Sequence, residues 1–591
     1  MSILDRITSL RNLMSTEQID AVLIYGTDPH LSEYVPKDWR SIEWISGFTG
    51  SYAKVAITKD KAVLWTDSRY YIQAESQLKG SGFKMIKDRQ SDAISVEDWL
   101  KIELAPGTTV AVDGLTVSAT AVSSLTKNLS ANTITLALDK DLVSPIWTNR
   151  PILSHSQIVD YPVRWAGQSR VEKLSIIRKS LTENKADAIF ITQLDDLAWS
   201  FNLRGSEINY IPVFSGYGYI DQSRAFLFVN DGRLSEKLSE ILKSEGIVVH
   251  NYKSIFPVLE QVLPRVIFLD PDRTNSTLYS FFSKNCQVIN GVAIPTLLKS
   301  IKNNVEIAGM RAAHRRDGVA MVNFLYWFYT HSPKSDNTEL SVSEKLRKFR
   351  SEQKYFMSES FSPIVAFGSH GAVVHYGATP ETDLPIGPDG ILLIDSGGQY
   401  LDGTTDITRT IPTGKVTLKQ KYDFTIVLKA MINLAKAKFP ENTKGYSLDS
   451  IARKELWDNS LNYGHGTGHG IGHFLSVHEG PMSIRSEFNA EPIRAGQILT
   501  DEPGLYREGQ YGIRIENVLV CKNHTNSAFG QFLSFDTLTL CPIDKKLINR
   551  KLLSLEEVNW LNAYHRRVFS ALKPYLKPEI LNWLEIQCSP L

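Results

Sequence analysis

Gly464-His465-Gly-Thr-Gly-His469-Gly-Ile-Gly-His473 lies inside a region, Leu392 to Asn517, that also carries four acid-bearing segments. Glycine occupies every even position from 464 to 472, so every second side chain is missing. A helix would lose about 0.5–1 kcal/mol per glycine relative to alanine, which argues against one despite histidines spaced i, i+4. Extended, the stretch puts His465, Thr467, His469, Ile471 and His473 on one face. The bare opposite face lets another backbone approach closely. Neither GxGxxG nor GxxxxGK[ST] matches, which disfavours a phosphate loop. A lone histidine is ordinarily structural. Three on one face, with His478 just beyond, mark a site.

The acids flank this stretch. Asp395 ends the apolar strand Ile391-Leu-Leu-Ile394, and Ser-Gly-Gly398 then reads as a turn. Asp406 lies in Asp402-Gly-Thr-Thr-Asp406-Ile-Thr-Arg-Thr410, a run that would pair back as a hairpin. One acid at a strand end is usually a solvated turn. Two facing inward beside an apolar strand repel each other and need a cation or a shared proton. Glu502 precedes the Pro503-Gly504 turn after Gln497-Ile-Leu-Thr500. Glu516 reads as part of one strand, Tyr511–Val520. Its alternation puts Arg514, Glu516 and Val518 on one face and Ile513, Ile515, Asn517 and Leu519 on the other.

Singly, Arg514 and Glu516 would be a surface ion pair. As a group, Asp395, Asp406, His469, Glu502 and Glu516 make a different proposition. Four carboxylates and a neutral imidazole around two divalent cations sum to about zero charge, a condition for burying them. Mostly oxygen donors with one imidazole suit Mn²⁺, with Co²⁺ or Zn²⁺ as alternatives, and the absence of thiolates argues against a structural zinc. Two such ions about 3.5–4 Å apart can hold a bridging hydroxide and polarise a carbonyl. The segments thus predict a two-metal hydrolytic centre on neighbouring strands.

The remainder frames this region. At 591 residues the chain exceeds what one core usually supports. In the first half a helix with Ile7, Leu10, Leu13 and Met14 precedes the apolar strand Ala21–Tyr25, and Leu174, Ile177 and Leu181 precede Ala188–Thr192. Trp44–Gly50 is echoed by Trp199–Gly205, Ala62–Arg69 by Ala225–Arg233, and Val110–Asp113 by Val266–Asp270. This order predicts two copies of one α/β domain, 1–157 and 158–302, joined through a polar stretch, Ser154–Gln168. From Asn303 long helices at 307–325 and Leu340–Gln353 lead into hairpin-spaced strands, the helix Leu418–Ala437 and a closing helix pair, Leu555–Leu572 and Pro578–Glu585. That mixture predicts an α+β domain, 303–591, with an antiparallel sheet.

Composition sets outer bounds. A formal net charge of +1 argues against a dedicated nucleic-acid or membrane partner. Four cysteines without CxxC spacing suit a reducing compartment. The start lacks the apolar core of a signal peptide, and no apolar run is long enough to span a bilayer, so a cytoplasmic location is expected.

The order Asp395, Asp406, His469, Glu502, Glu516 resembles the ligand pattern of the pita-bread metallopeptidases. Gly464–Pro481, Val374-His375-Tyr376 and Thr500–Asn517 resemble the three-domain, cytosolic-type aminopeptidase P (Xaa-Pro aminopeptidase) family. Ser32-Glu-Tyr34, Ser46-Gly-Phe48 and Phe201–Gly205 fit as well, so the resemblance covers nearly the whole chain. Thr49 departs from it where relatives often carry an acid, and His370 has no counterpart. The resemblance implies two divalent metals and removal of the N-terminal residue from peptides with proline second, by a metal-bridging hydroxide. It implies that Asp395 chelates one metal, that Asp406 and Glu516 bridge the pair, and that His469 and Glu502 hold the second. Glu502 would be the general base, His375 and His478 would bind the substrate carbonyl and its oxyanion, and His465 and Arg514 would support the metal ligands. Arg69 would reach the peptide, and a homodimer is expected. A dipeptide-restricted prolidase and a non-catalytic binding protein on the same fold are the alternatives.

Overall fold

Ile7, Leu10 and Met14 are the side chains that helix Ile3–Thr16 buries, behind a capping box in which Ser2 and Asp5 hydrogen-bond each other's backbone. The helix leads into Ala21–Tyr25, the third-from-edge strand of a six-stranded sheet. The computed structural model describes residues 1–90, 92–152, 156–331 and 336–591. It divides into two compact units, one of Met1–Val163 with Gln168–Leu297 and one of Arg164–Gly167 with Leu298–Leu591. The start of the expected join, Ser154–His155, lies outside the described residues.

The first unit holds two sheets of one topology. The first contains Ala21–Tyr25, Lys54–Thr58, Ala62–Thr66, Lys84–Lys87, Thr109–Ala111 and Thr135–Ala137; counted along the chain, their spatial order is 4-3-2-1-5-6. The second contains Ala188–Ile191, Gly216–Asp221, Ala225–Val229, Ile247–Asn251, Val266–Leu269 and Gln287–Asn290 in the same order. In both, the first three strands pair antiparallel and the other three join parallel. The echoed segments occupy matching places: Ala62–Thr66 and Ala225–Val229 are both third strands, and Thr109–Ala111 and Val266–Leu269 both fifth. Strands covered on both faces read as unbroken apolar runs, as Ala188–Ile191 and Ala225–Val229 do.

The second unit opens with helix Asn304–His331, longer at both ends than its sequence predicts, and helix Glu339–Ser351. Its strands are antiparallel throughout. Ile364–Phe367, Ile391–Ser396 and Ile407–Pro412 form one sheet. A six-stranded sheet runs Lys438–Pro440, Gly530–Thr537, Asn517–Ser527, Ile498–Asp501, Gly468–Gly470, Glu479–Ile484. A separate hairpin pairs Gly504–Arg507 with Tyr511–Arg514. Helix Leu418–Ala435 fills the core beside these sheets, with Phe424, Val427, Met431 and Leu434 at 1% exposure or less. Helix Gly445–Trp457, which the sequence pattern does not announce, packs against it. Leu561 and Tyr564 of helix Leu555–Leu572 are buried, while Trp560 and Trp583 pack at the edge of the core. Among the described residues no helix is long and apolar enough to cross a membrane.

One expectation is corrected. Tyr511–Val520 is two strands: Tyr511–Arg514 belongs to the hairpin and Asn517–Ser527 to the six-stranded sheet. Ile515 and Glu516 form the crossing between them. Alternation alone could not reveal the break, because the residues on both faces are buried and the apolar pattern runs straight through.

Candidate metal centre

Two sheets of the second unit bring the acids together. Asp395 lies opposite Thr408 in the pairing of Ile391–Ser396 with Ile407–Pro412, and Asp406 immediately precedes the latter strand. In the six-stranded sheet Asp501 pairs with Asn517, so Glu502 and Glu516 are the first residues beyond the last rung, at the same end. The backbone N–H of Glu516 donates to the Thr408 carbonyl at 3.1 Å, which stitches the two sheets together at the site. Glycine makes the turn after Asp395 feasible: a Cβ on Gly397 would lie 2.0 Å from the Thr405 carbonyl oxygen.

The histidine stretch is extended, as expected, but regular strand covers only Gly468–Gly470. Its glycines do admit neighbouring backbones. A Cβ on Gly468 would sit 2.1 Å from the Thr500 carbonyl oxygen, and one on Gly470 2.3 Å from that of Glu479. The residues expected on one face have different partners. Pairing shifts register between His469 and Gly470, and the side chains of the stretch have different surroundings. Thr467 turns inward to Tyr463 and Asp449, and Ile471 enters an apolar cluster with Met310, Ile498 and Val518.

His469 reaches the acids. Its Nδ1 lies 2.9 Å from the Gly470 carbonyl, which fixes the proton there. Nε2 then presents its lone pair to Asp406 Oδ2 at 3.6 Å and Glu502 Oε1 at 3.5 Å. Ligand atoms of Asp406, His469 and Glu516 all lie within 4.8 Å of one another. A lone pair facing two carboxylates is tolerable only with a cation or a proton between them.

The electrostatics agree. Burial, then repulsion from Asp395 and Glu502, drives the Asp406 carboxyl well above the usual range. Burial, then Asp406, Asp395 and Glu502, does the same to Glu516. Burial lifts Glu502 to about 7 against the pull of the Arg514 guanidinium. Asp395 Oδ1 and Asp406 Oδ1 are buried with no hydrogen-bond partner. Orphaned, mutually repelling carboxylate oxygens beside an imidazole lone pair are what hard divalent cations would satisfy, so the residues present fit a metal pair.

A ring of donors holds these ligands. Arg514, fully buried, donates from Nη2 to Asp395 Oδ2 at 2.5 Å and from Nη1 to the Tyr506 hydroxyl at 2.6 Å. The Tyr506 hydroxyl lies 2.8 Å from His465 Nε2, so His465 and Arg514 meet through it. Thr408 Oγ1 donates to Glu516 Oε2 at 2.8 Å, and Thr500 Oγ1 to Glu502 Oε1 at 3.3 Å. Arg409 Nη1 donates to the Glu516 carbonyl at 2.6 Å. The rings of His469 and His478 meet edge-on at 4.3 Å between centroids, and Arg514 Nη2 lies 3.4 Å from the carbonyl of Val374, the neighbour of His375. Tyr506, Thr408, Thr500 and Arg409 were not singled out by sequence reasoning. Thr408 had a signal: it shares Asp406's face by alternation. Arg69, in the first unit, is held by Asp67 at 2.9 and 2.7 Å and lies over the Tyr70 ring.

Comparison with known proteins finds relatives along the whole chain. Residues 308–523 match the model of metallopeptidase family M24, and 531–591 match the C-terminal region of peptidase M24. Residues 6–139 and 149–306 each match a creatinase/prolidase N-terminal domain. A probable Xaa-Pro aminopeptidase P of Laccaria bicolor is 38% identical, covering 99% of this chain and 93% of that protein. Xaa-Pro aminopeptidase 1 of Dictyostelium discoideum is 37% identical over 100% of this chain and 97% of its own length. The crystal structure of an X-prolyl aminopeptidase from Caenorhabditis elegans, described as a cytosolic enzyme with a di-nuclear active site, superposes with a TM-score of 0.96 at 34% identity over the whole of both chains. End-to-end likeness at these identities, on a fold that gathers its acids between two sheets, means that the chain belongs to metallopeptidase family M24, with paired creatinase/prolidase N-terminal domains.

Proposed function

We propose that the chain is a metal-dependent aminopeptidase that releases the N-terminal residue from peptides whose second residue is proline, the activity for which relatives of matching length are named. The observation that carries the reading is the meeting of Asp406, His469 and Glu516 beside Asp395 and Glu502, with carboxylate oxygens left unpartnered. In this reading Asp395 would serve one divalent ion, His469 and Glu502 would serve the other, and Asp406 and Glu516 would be shared between the two. Such a pair supplies positive charge to cancel the carboxylates, polarises the scissile carbonyl and lowers the pKa of water.

The protein's own groups do the rest. In this reading Glu502 takes a proton from the attacking water and later returns it to the leaving proline nitrogen. His375 and His478 donate hydrogen bonds to the carbonyl oxygen, where donors count most as negative charge develops. Arg514 fixes Asp395, and Tyr506 ties His465 to that arginine. Arg69 is assigned contact with the peptide substrate. Proline at the second position has no amide hydrogen and a restricted preceding bond, which a dedicated pocket can select.

The finer assignments belong to the same reading. Mn²⁺ is the metal expected of a mostly oxygen donor set. A cytoplasmic location suits the low cysteine content and the cytosolic relative. A homodimer is supported by aromatic rings exposed on the second unit, Trp457 at 49% and Phe488 at 80%, the latter packed on Tyr446. Three domains, 1–157, 158–302 and 303–591, are the proposed organisation. Rates on Xaa-Pro-Pro, Xaa-Ala-Ala and Xaa-Pro peptides after Mn²⁺ loading test the specificity. Equal rates on the first two would refute it, and cleavage of the dipeptide alone would make the chain a prolidase.

A further inference from the structure

Glu339 stands outside the metal centre, yet it is fully buried and carries more hydrogen bonds than its place at the start of a helix requires. Its Oε1 accepts from the backbone N–H of Phe367 at 2.7 Å, at the end of the strand that pairs with Ile391–Ser396. Its Oε2 accepts from the Tyr376 hydroxyl at 2.8 Å and from the Leu384 N–H at 3.3 Å. His370 Nδ1 lies 3.0 Å from both oxygens, and since a carboxylate only accepts, that nitrogen is the donor. The His370 and Tyr376 rings also pack together, 4.4 Å between centroids.

One carboxylate therefore fastens both sides of a short segment, at His370 and at Tyr376, and His375 is the residue immediately before the second anchor. The inner side of the segment is equally constrained. A Cβ on Gly371 would lie 2.9 Å from the Gly512 nitrogen, and one on Gly512 only 1.7 Å from the Gly371 carbonyl oxygen. Gly512 is two residues before Arg514, which itself reaches the Val374 carbonyl. The segment is thus pinned between Glu339 and the strand that carries the partner of Asp395.

We infer that Glu339, acting through Tyr376 and His370, is the positioning residue that sets the placement of His375 over the substrate carbonyl. The inference rests on the aminopeptidase reading above, because it assigns His375 its work. Displacing a substrate-binding donor by about 1 Å can cost up to about a hundredfold in rate, so loss of one anchor is expected to cost about tenfold.

The experiment is a double-mutant cycle on the Mn²⁺-loaded full-length protein with an Xaa-Pro-Pro peptide, combining Tyr376→Phe with His375→Ala. Tyr376→Phe removes one hydroxyl and keeps the ring, so folding and metal content should stay as in the wild type. It should lower kcat/KM by about tenfold in the wild-type background and by less than about twofold when His375 is already alanine, the sign of action through that residue. Glu339→Gln, which keeps one acceptor, should lower kcat/KM more than Tyr376→Phe, and again only while His375 is present. Losses of equal size in both backgrounds, or none in the wild type, would overturn the inference. A wild-type protein that cleaves no Xaa-Pro peptide would instead remove the aminopeptidase reading itself.

Discussion

Replacing Arg514 with methionine separates the charge balance of the metal-free site from that of the loaded one. The guanidinium is fully buried and touches Asp395, Tyr506 and Thr408. Methionine keeps much of the volume and none of the charge. Removing one partner of a buried ion pair leaves the other uncompensated and costs about 3–5 kcal/mol. The unit that holds the site, Leu298–Leu591, has roughly 300 residues, so its unfolding entropy near the midpoint is about 0.6 kcal/mol/K, and Tm of that transition should fall by about 5–8 °C. With metal bound, Asp395 faces a cation as well as the arginine, and the deficit should shrink to less than half. Calorimetric scans of wild type and Arg514→Met, each in EDTA and in excess Mn²⁺, give the four numbers required. A fall of less than about 2 °C in EDTA, or the same fall with and without metal, would refute the idea that Arg514 and the cations compensate the same carboxylate.

Two further outcomes are expected from the geometry. Gly468→Ala would drive a methyl to 2.1 Å from the Thr500 carbonyl oxygen, a backbone atom that cannot swing aside, so the His469 strand must move away from Ile498–Asp501. Mn²⁺ affinity by titration calorimetry should drop by at least about tenfold, and wild-type affinity would show that the close approach is not required. Glu502, lifted to about 7 when folded, titrates near about 4.3 in an unfolded chain. Between those values the folded metal-free protein holds a proton the unfolded chain has released, so this group costs nothing at low pH and progressively destabilises as pH rises through 7. With 18% of the side chain exposed, the cost at pH 8 is at most about 3 kcal/mol. Metal-free Glu502→Gln should therefore gain Tm over the wild type as pH climbs from 5 to 8, and a difference that stays constant would contradict it.

How far the sequence could be read depended on the distance between partners. The repeat in the first half was legible because each copy carries its own strand order in local apolar runs, and Ala188–Ile191 and Val266–Leu269 needed no knowledge of tertiary contacts. Alternating glycines flagged an extended stretch at His465–His473, and the close backbone approach of Gly468 and Gly470 is the consequence. The bulge after His469 left no trace, because the same glycines suit a regular and an irregular strand equally. Thr408 and Arg409 reach Glu516 across more than a hundred residues of chain. Their part depends on which sheets abut, which local pattern does not encode. Glu339 was invisible for the same reason: a glutamate in the first turn of a helix ordinarily serves the helix dipole.

The crossing at Ile515–Glu516 has a mechanical consequence. Asp395 and Asp406 hang from the three-stranded sheet, whereas His469, Glu502 and Glu516 hang from the six-stranded one, joined at the seam by the Glu516 N–H to Thr408 carbonyl hydrogen bond and by the Thr408 and Arg409 side chains. Ions seated among them would act as rivets through two plates. Loading should slow amide exchange in both sheets together, so that the bench on which the peptide is cut becomes stiff only when it is armed.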